Sequence, residues 1–268
     1  MLSNLNVRQV FIGIVVCIFL TGCASLGSYN PATGRNEFIM IPTSEEIQMG
    51  QSVHQRLEKK YTLSTNSKYV ERVNRIGQRV AMVSDRQDYV YKFFVIEGDQ
   101  INAFTTPGGN VYVYTGLLDK MPSDDQIAFV IAHEIGHCAA RHVIKKYQAA
   151  LSYDLIGNII FNQIDDGGRG YDLARLGSGA LMSLVFSAYS RQDELEADQL
   201  GLKYGHLAGY DTNGAVEALE ILEAESEGGG GPLILRSHPY LKDRIVKVKE
   251  AIPAVEHRYN SVVGHISQ

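Results

Sequence analysis

Apolar and polar residues recur with a helical period along most of this 268-residue chain. Residues 44–61 and 66–83 place apolar side chains three and four positions apart among charged ones, which predicts two amphipathic helices. Similar spacing predicts five more helices, separated by glycine clusters near residues 167 and 228–231. These helices are residues 146–161, 174–188, 191–206, 213–224 and 241–252. The chain is therefore predicted to be mainly helical.

Two short segments have the aromatic and β-branched composition of strands instead. They are residues 90–96 and 110–115, and the second follows the turn residues Pro107, Gly108 and Gly109. We expect the two segments to pair as a hairpin. Together with the helices, they predict an α+β fold class, in which one small β-sheet accompanies a mainly helical domain.

A separate helix is predicted to begin just after Ser123. Ser123 and Gln126 have the spacing of a capping box, and an apolar series that starts at Ile127 follows directly. The helix then runs through the residues HEIGH at His133 to His137. Because the helix is apolar before this polar run, we expect its histidines at the floor of a cleft.

The run from His133 to His137 has the spacing of a zinc site. Helix positions four apart share a face, so His133 and His137 can direct both imidazoles at one ion while Glu134 projects beside them. Two core histidines that bind no metal are the alternative, but burying them with a carboxylate would leave polar groups unmatched. The pattern favours one Zn²⁺ per chain, with Glu134 as the general base.

A catalytic zinc site usually needs a third protein ligand and keeps its fourth position for water. The extended motif that supplies this ligand from just beyond the run is absent, because Ala140 and Val143 stand where glycine and histidine would be. We predict Glu194 as the third ligand. Glu194 and Asp198 are four positions apart and share a helix face, so one can bind the metal and the other can orient a ligand.

Two neighbouring charged residues are interpreted from the same helical geometry. Glu196 lies about 200° around the helix from Glu194, so we expect it on the solvated surface rather than at the metal. Arg141, one turn beyond His137, is expected to pair with Asp198 and to fix the two helices together.

The N-terminal residues differ in kind from the rest. An apolar run at residues 10–20 is too short to span a bilayer and is followed by Cys23, which resembles a bacterial lipoprotein signal. Cleavage before Cys23 would leave its thiol to be acylated, for example with palmitate. An ordinary signal peptide with a chance cysteine is the alternative. We predict a signal at residues 1–22, a lipidated cysteine with a tether at 23–43, and a zinc-binding domain at 44–268.

Composition limits the possible partners. Hydrophobic residues make up 45% and charged residues 21% of the chain, with a formal net charge of −5, which is typical of a folded domain. No stripe of Lys and Arg interleaved with aromatic residues is present, so no nucleic-acid partner is expected. If Cys17 leaves with the signal and Cys23 carries lipid, Cys138 has no intrachain disulfide partner. Cys138 is expected to be a small buried residue.

These motifs together resemble a family of zinc metalloproteases that includes the HtpX protease and the CAAX prenyl protease. Within it, the chain resembles the periplasmic lipoprotein, LoiP-like branch, and it lacks the C-terminal repeats of the related BepA-like branch. The resemblance covers about residues 30–252. It is carried by His133 to His137 with Arg141 and His142, by Ser190, Arg191, Glu194, Ala197 and Asp198, by Asn102 to Phe104 with Gly109 and Gly116 to Leu118, and by His238, Pro239 and Arg244.

The resemblance implies a zincin domain of the gluzincin type, in which a small β-sheet lies over the active-site helix and a second helix supplies a glutamate. It implies a zinc-dependent endopeptidase for quality control of unfolded or misassembled envelope proteins. The implied location is the periplasmic face of the outer membrane, since no Asp follows Cys23. The alternative is a lipid-anchored chaperone or assembly factor for outer-membrane proteins, with a structural or autoinhibited zinc site. The oligomeric state stays open.

The resemblance also assigns roles outside the two helices. His238 and Arg244 are expected to stabilise the oxyanion of the reaction; alternatively, as in the BepA-like branch, His238 fills the fourth zinc position and holds the enzyme idle. Substrate is expected to add as a strand to the family's edge strand, although a hairpin that only covers the core is the alternative. That strand is formed by Asn110, Val111, Tyr112 and Val113.

Overall fold

A computed structural model describes residues 27–161, 178–226 and 231–266. The predicted signal peptide and Cys23 lie outside these residues, as does the start of the predicted helix 174–188. Among the helices within the three ranges, none is both long and apolar enough to cross a bilayer.

Helices dominate the described chain, and the predicted α+β class is confirmed. In chain order they are α1 (Thr43–Lys60), α2 (Ser67–Ala81), α3 (Thr115–Lys120), α4 (Asp124–Ala139), α5 (His142–Phe161), α6 (Ser178–Val185), α7 (Arg191–Leu207), α8 (Asn213–Ser226), α9 (Ile234–Ser237) and α10 (Leu241–Ile266). The short helices α3 and α9 are too brief to show a helical period, so the sequence pattern did not predict them. Helix α10 continues through Pro253, where the pattern predicted its end.

The strands form two small sheets. Their bounds are β1 (Ser28–Asn30), β2 (Arg35–Glu37), β3 (Lys92–Ile96), β4 (Ala103–Thr106) and β5 (Asn110–Tyr114). Strands β1 and β2 pair antiparallel, while the second sheet has the order β3-β5-β4. In it β3 runs parallel to β5, so the predicted hairpin between these two segments is wrong. The hairpin partner of β5 is β4, which has only four residues and lacks an alternating pattern.

The order of the sheet also corrects the predicted substrate strand. Strand β5 is the central strand, paired on both sides, so Asn110, Val111, Tyr112 and Val113 do not form an edge. The edge on the side of α4 is β4. Its Thr105 Oγ1 lies 2.7 Å from the Cys138 Sγ on α4. Cys138 is buried as expected, and that burial raises the pKa of its thiol to about 12.

The β1–β2 hairpin packs on the domain, contrary to the prediction that residues 23–43 form a tether. Asn30 Nδ2 donates to the Ala139 carbonyl at the end of α4, at 3.2 Å. Lys145 Nζ on α5 lies 2.6 Å from Glu37 Oε1. The Gly- and Asn-rich composition of this segment reflects its turn, where Gly34 has φ 66, rather than a free linker.

Helix α4 forms the centre of the core. All of its residues from Gln126 to Ala139 are buried, and its capping box at Ser123 is formed as the sequence predicts. Two glycines let α7 approach it closely: a Cβ at Gly136 would lie 3.0 Å from the Ala197 carbonyl oxygen, and one at Gly201 would lie 3.1 Å from the His133 nitrogen. The HEIGH run therefore lies where the backbones of α4 and α7 approach each other closely.

We predict that Gly50→Ala on α1 lowers the free energy of unfolding by about 1–3 kcal/mol, because its new Cβ would overlap the Pro107 carbonyl of the turn before β5. The matched control is Gly205→Ala on α7, where a Cβ would meet no atom within 4 Å. That change should instead raise stability by about 0.5–1 kcal/mol, through helix propensity. Urea unfolding of both variants measures the difference, and equal effects would contradict the close packing of α1.

Candidate metal centre

Four buried side chains from three parts of the chain converge on one point. They are His133 and His137 on α4, Glu194 on α7, and His238 just after α9, and their ligand atoms all lie within 4.8 Å of one another. Each of the four residues is at most 4% exposed. The structure thus brings together the predicted ligands His133, His137 and Glu194, with His238 as a fourth member.

Four of the distances between these atoms are close to those between the ligands of a tetrahedral metal ion. His133 Nε2 lies 3.0 Å from His137 Nε2 and 3.3 Å from His238 Nδ1. Glu194 Oε1 lies 3.1 Å from His238 Nδ1 and 3.4 Å from His137 Nε2. Four ligands at about 2.0–2.1 Å from a zinc ion are separated by about 3.3–3.4 Å. Three imidazole nitrogens and one carboxylate oxygen therefore lie close enough to surround one metal ion, and ligands of these types suit zinc.

Glu134 supports the same fit. Its side chain is fully buried, and neither carboxylate oxygen accepts a hydrogen bond from the described residues. Burial raises the pKa of Glu134, although the nearby His238 and His133 work in the opposite direction. A buried carboxylate without a hydrogen-bond donor lowers the stability of the fold, so its presence indicates a function. A general base beside a metal is such a function.

Arg244 on α10 holds the carboxylates of α7 in place. Its Nε and Nη2 donate to the two oxygens of Asp198 at 2.8 and 2.7 Å, and its Nη1 lies 2.7 Å from Glu194 Oε2. Burial alone would lower the pKa of Arg244, but the two carboxylates raise it above its ordinary value. The predicted role of Arg244 at an oxyanion stays a prediction, since these guanidinium nitrogens are directed at Asp198 and Glu194.

Each α4 histidine has a partner on its second nitrogen. His133 Nδ1 lies 2.9 Å from Asp198 Oδ1, so Nδ1–H donates a hydrogen bond to the carboxylate and Nε2 is left free to bind a metal. His137 Nδ1 lies 2.8 Å from the Nδ1 of His142. Burial holds the pKa of His137 well below its ordinary value, which favours the neutral imidazole that binds metals.

Arg141 does not reach Asp198, so this pairing, predicted from helical spacing, is wrong. Its Nη2 lies 2.5 Å from the Ile41 carbonyl oxygen and 3.0 Å from Glu46 Oε2. The reason is local: α4 ends at Ala139, and Arg141 has a left-handed backbone with φ 58, so it does not continue the face of His137. Arg244, which is 46 positions beyond Asp198 in sequence, occupies that place instead.

Glu196 is away from the metal cluster, as predicted, but it is not a solvated side chain. It is only 16% exposed and lies 2.6 Å from Arg35 on β2. Its other oxygen lies 3.1 Å from His142 Nε2. The sequence pattern placed Glu196 on the opposite side of α7 correctly, and it missed the elements that cover that side.

The site is closed around a very small cavity. A volume of about 10 Å³ lies beside His133, Glu134, His238 and Arg244, bounded on its apolar side by Phe129. This is close to the space that one water molecule needs, and far below that of a peptide. His238 contributes to the closure from both ring nitrogens, since Nε2 lies 3.4 Å from Glu134 Oε1 while Nδ1 faces the ligand atoms.

Residues 67–252 match the model of peptidase family M48. Among curated proteins, the mitochondrial metalloendopeptidase OMA1 of Schizosaccharomyces pombe is 29% identical over 85% of this chain and 67% of its own length. Metalloprotease LoiP of Escherichia coli is 27% identical over 93% of this chain and 98% of its own length. The beta-barrel assembly-enhancing protease of Escherichia coli is 25% identical over 82% of this chain, which spans only 46% of that protein.

We predict that Arg244→Met lowers the free energy of unfolding of the metal-free protein by about 3–5 kcal/mol, because it leaves two buried carboxylates without their cation. Added Zn²⁺ should restore part of this loss by binding Glu194 in the folded state. Thermal unfolding with and without metal measures both effects. Arg191→Met, which removes an exposed pair with Asp243, is the control and should change little. An equally small effect of Arg244→Met would contradict the assigned charge balance.

Proposed function

This chain belongs to peptidase family M48 and is a metallopeptidase, and from that premise we propose that it is a Zn²⁺-dependent endopeptidase of the bacterial cell envelope. The observation that carries the proposal is the buried set of His133, His137 and Glu194 with Glu134 beside it. A bound zinc ion would polarise the scissile carbonyl and lower the pKa of a water molecule toward neutrality. His133, His137 and Glu194 would hold this ion, one per chain.

Glu134 is the proton carrier of the proposed reaction. Its carboxylate accepts a proton from the attacking water and returns it to the nitrogen of the leaving amine. Burial raises the pKa of Glu134 above its ordinary value, which favours a carboxyl group that can hold a proton between the two transfers. Asp198 and Arg244 act through other residues: Asp198 orients His133, and Arg244 fixes Asp198 and Glu194.

Substrate is proposed to bind as an extended strand along β4 rather than along β5. Strand β4 is an edge of its sheet in the described chain, and it contacts α4 through Thr105 and Cys138. A peptide paired with this edge would have its backbone hydrogen bonds satisfied while it lies beside the helix that carries Glu134. This geometry favours unfolded segments, because their backbone groups are not already paired within a fold.

We propose that His238 fills the fourth ligand position in a closed state of the enzyme. Three observations support this reading over an oxyanion role at rest: the distances of His238 Nδ1 to the ligand atoms, the contact of Nε2 with Glu134, and the cavity of about 10 Å³. Activity then requires His238 to leave the cluster.

The location and the substrates rest on the sequence and on the relatives. We propose that Cys23 is lipidated after removal of residues 1–22 and anchors the domain at the periplasmic face of the outer membrane. The relatives include a metalloprotease and a beta-barrel assembly-enhancing protease, which supports unfolded or misassembled envelope proteins as substrates.

A lipid-anchored assembly factor with a non-catalytic zinc site is the second candidate. The closed cluster favours it to one degree, because structural zinc sites have four protein ligands. The buried Glu134 argues for catalysis, since a structural site has no need of a carboxylate that accepts no hydrogen bond at its edge.

We predict that Glu134→Gln lowers cleavage of an unfolded protein such as reduced casein by about 10²–10⁴-fold, because the amide cannot accept the proton. Zinc content, measured by atomic absorption, should remain near one per chain, since Glu134 is not a ligand. Glu220→Gln is the control, because Glu220 is half exposed and pairs only with Lys249 on the surface. Unchanged proteolysis in Glu134→Gln, with zinc retained, would contradict the role of Glu134. Absence of casein cleavage by the zinc-loaded wild-type protein would favour the assembly-factor function.

We predict that His238→Ala raises the basal rate of casein cleavage in excess Zn²⁺ by about tenfold or more. A tenfold increase corresponds to a closed state that is less stable, relative to the open state, by about 1.4 kcal/mol. His257→Ala, an exposed histidine on α10, is the control and should leave the rate unchanged. A decrease of kcat by orders of magnitude would instead assign His238 to the oxyanion and overturn the closed-state proposal.

A further inference from the structure

A chain of buried polar side chains extends from the metal ligand His137 to the N-terminal hairpin. His142 is 1% exposed, and its Nδ1 lies 2.8 Å from His137 Nδ1. Its Nε2 lies 3.1 Å from Glu196 Oε2, and Glu196 Oε1 lies 2.6 Å from Arg35 on β2. The series connects α4, α5, α7 and the hairpin through three consecutive short contacts.

Metal binding by His137 would set the direction of each hydrogen bond in this series. His137 Nε2 faces the ligand cluster and must keep its lone pair, so the proton of the neutral ring is on Nδ1. His142 Nδ1 must then accept a hydrogen bond from His137. This places the His142 proton on Nε2, which donates a hydrogen bond to Glu196. Burial would raise the pKa of Glu196, but its hydrogen bond with His142 and the charge of Arg35 hold it below its ordinary value.

The hairpin also holds the helices that carry the ligands. Asn30 donates to the Ala139 carbonyl at the end of α4, Glu37 pairs with Lys145 on α5, and Arg35 pairs with Glu196 on α7. The hairpin therefore contacts the C-terminal end of α4, the helix α5 that carries His142, and Glu196 on α7, which accepts a hydrogen bond from His142. A segment that only led to a membrane anchor would not need contacts with three helices.

We propose that His142 is a positioning residue that sets the tautomer and orientation of His137, and that the β1–β2 hairpin secures it through the Arg35–Glu196 pair. The inference rests on the metal site of the proposed function, and it extends that site to a segment that the sequence assigned to a tether. Metal ligands are commonly oriented by a carboxylate or carbonyl; here a second histidine stands between the ligand and its carboxylate.

The test is Zn²⁺ affinity of the full mature chain, measured by competition with a chromophoric chelator. His142→Ala should weaken binding by about 10–100-fold, the usual effect of losing a partner of a metal ligand. His142→Asn should recover most of that loss, because its side-chain oxygen can accept from His137 Nδ1 although it cannot reach Glu196. Arg35→Met should weaken binding by a smaller factor. His54→Ala is the control, since His54 bonds to Tyr112 at 2.8 Å and has no contact with the cluster.

Two results would overturn the inference. One is wild-type affinity in Arg35→Met together with equal losses in the Ala and Asn variants, which would make His142 a space-filling residue. The other comes from ¹⁵N NMR of the zinc-loaded wild-type chain: His142 should be the neutral Nε2–H tautomer, and an Nδ1–H tautomer contradicts the series. Neither measurement uses proteolysis, so an inactive protein with these affinities would refute the proposed peptidase and leave this inference standing. If His142→Ala does not fold, Arg35→Met and the NMR measurement still decide.

Discussion

The site depends on placing two carboxylates inside the protein. Glu194 and Asp198 lie on one face of α7 and are almost fully buried, where an isolated negative charge would be very costly. Arg244 on α10 pairs with both carboxylates, and His133 on α4 contacts Asp198 as well. Since Asp198 also accepts from His133, a single ion-pair network determines the orientation of two metal ligands. Removing Arg244 would leave both carboxylates buried without a cation, so this residue ties α10 to α7.

This arrangement explains the small residues around the metal. Helices α4 and α7 can bring their side chains to one ion only if their backbones approach closely, and Gly136 and Gly201 permit that approach. Ala197 lies opposite Gly136 for the same reason. The glycine within HEIGH thus has a packing function, while the flanking histidines and Glu134 have the chemical one. The cost is a helix that is buried on all sides, which the apolar residues from Ile127 to Ala132 make possible.

How much the sequence predicts follows from how local each feature is. Helices α1, α2, α4 and α7 show clear periods or caps, and residues four apart on α4 and α7 lie together whatever the tertiary fold, so the grouping of His133 with His137 and of Glu194 with Asp198 was accessible. The parallel pairing of β3 with β5, and the contacts of Arg244 and His142, depend on topology that no spacing encodes. Arg141 shows the limit: its place one turn beyond His137 was misleading because the helix had ended.

The proposed closed state depends on the His238 imidazole, which lies between the ligand cluster and Glu134. His238 Nδ1 lies among the ligand atoms, and its Nε2 lies 3.4 Å from Glu134, the proposed general base. In the proposed closed state this ring would therefore occupy the fourth ligand position and block the approach to Glu134. Because His238 belongs to a short connection between α9 and α10, its departure need not disturb the Arg244 network that holds the other ligands. A single displacement would then expose the metal and the base together, so that access of substrate, rather than assembly of the site, limits activity.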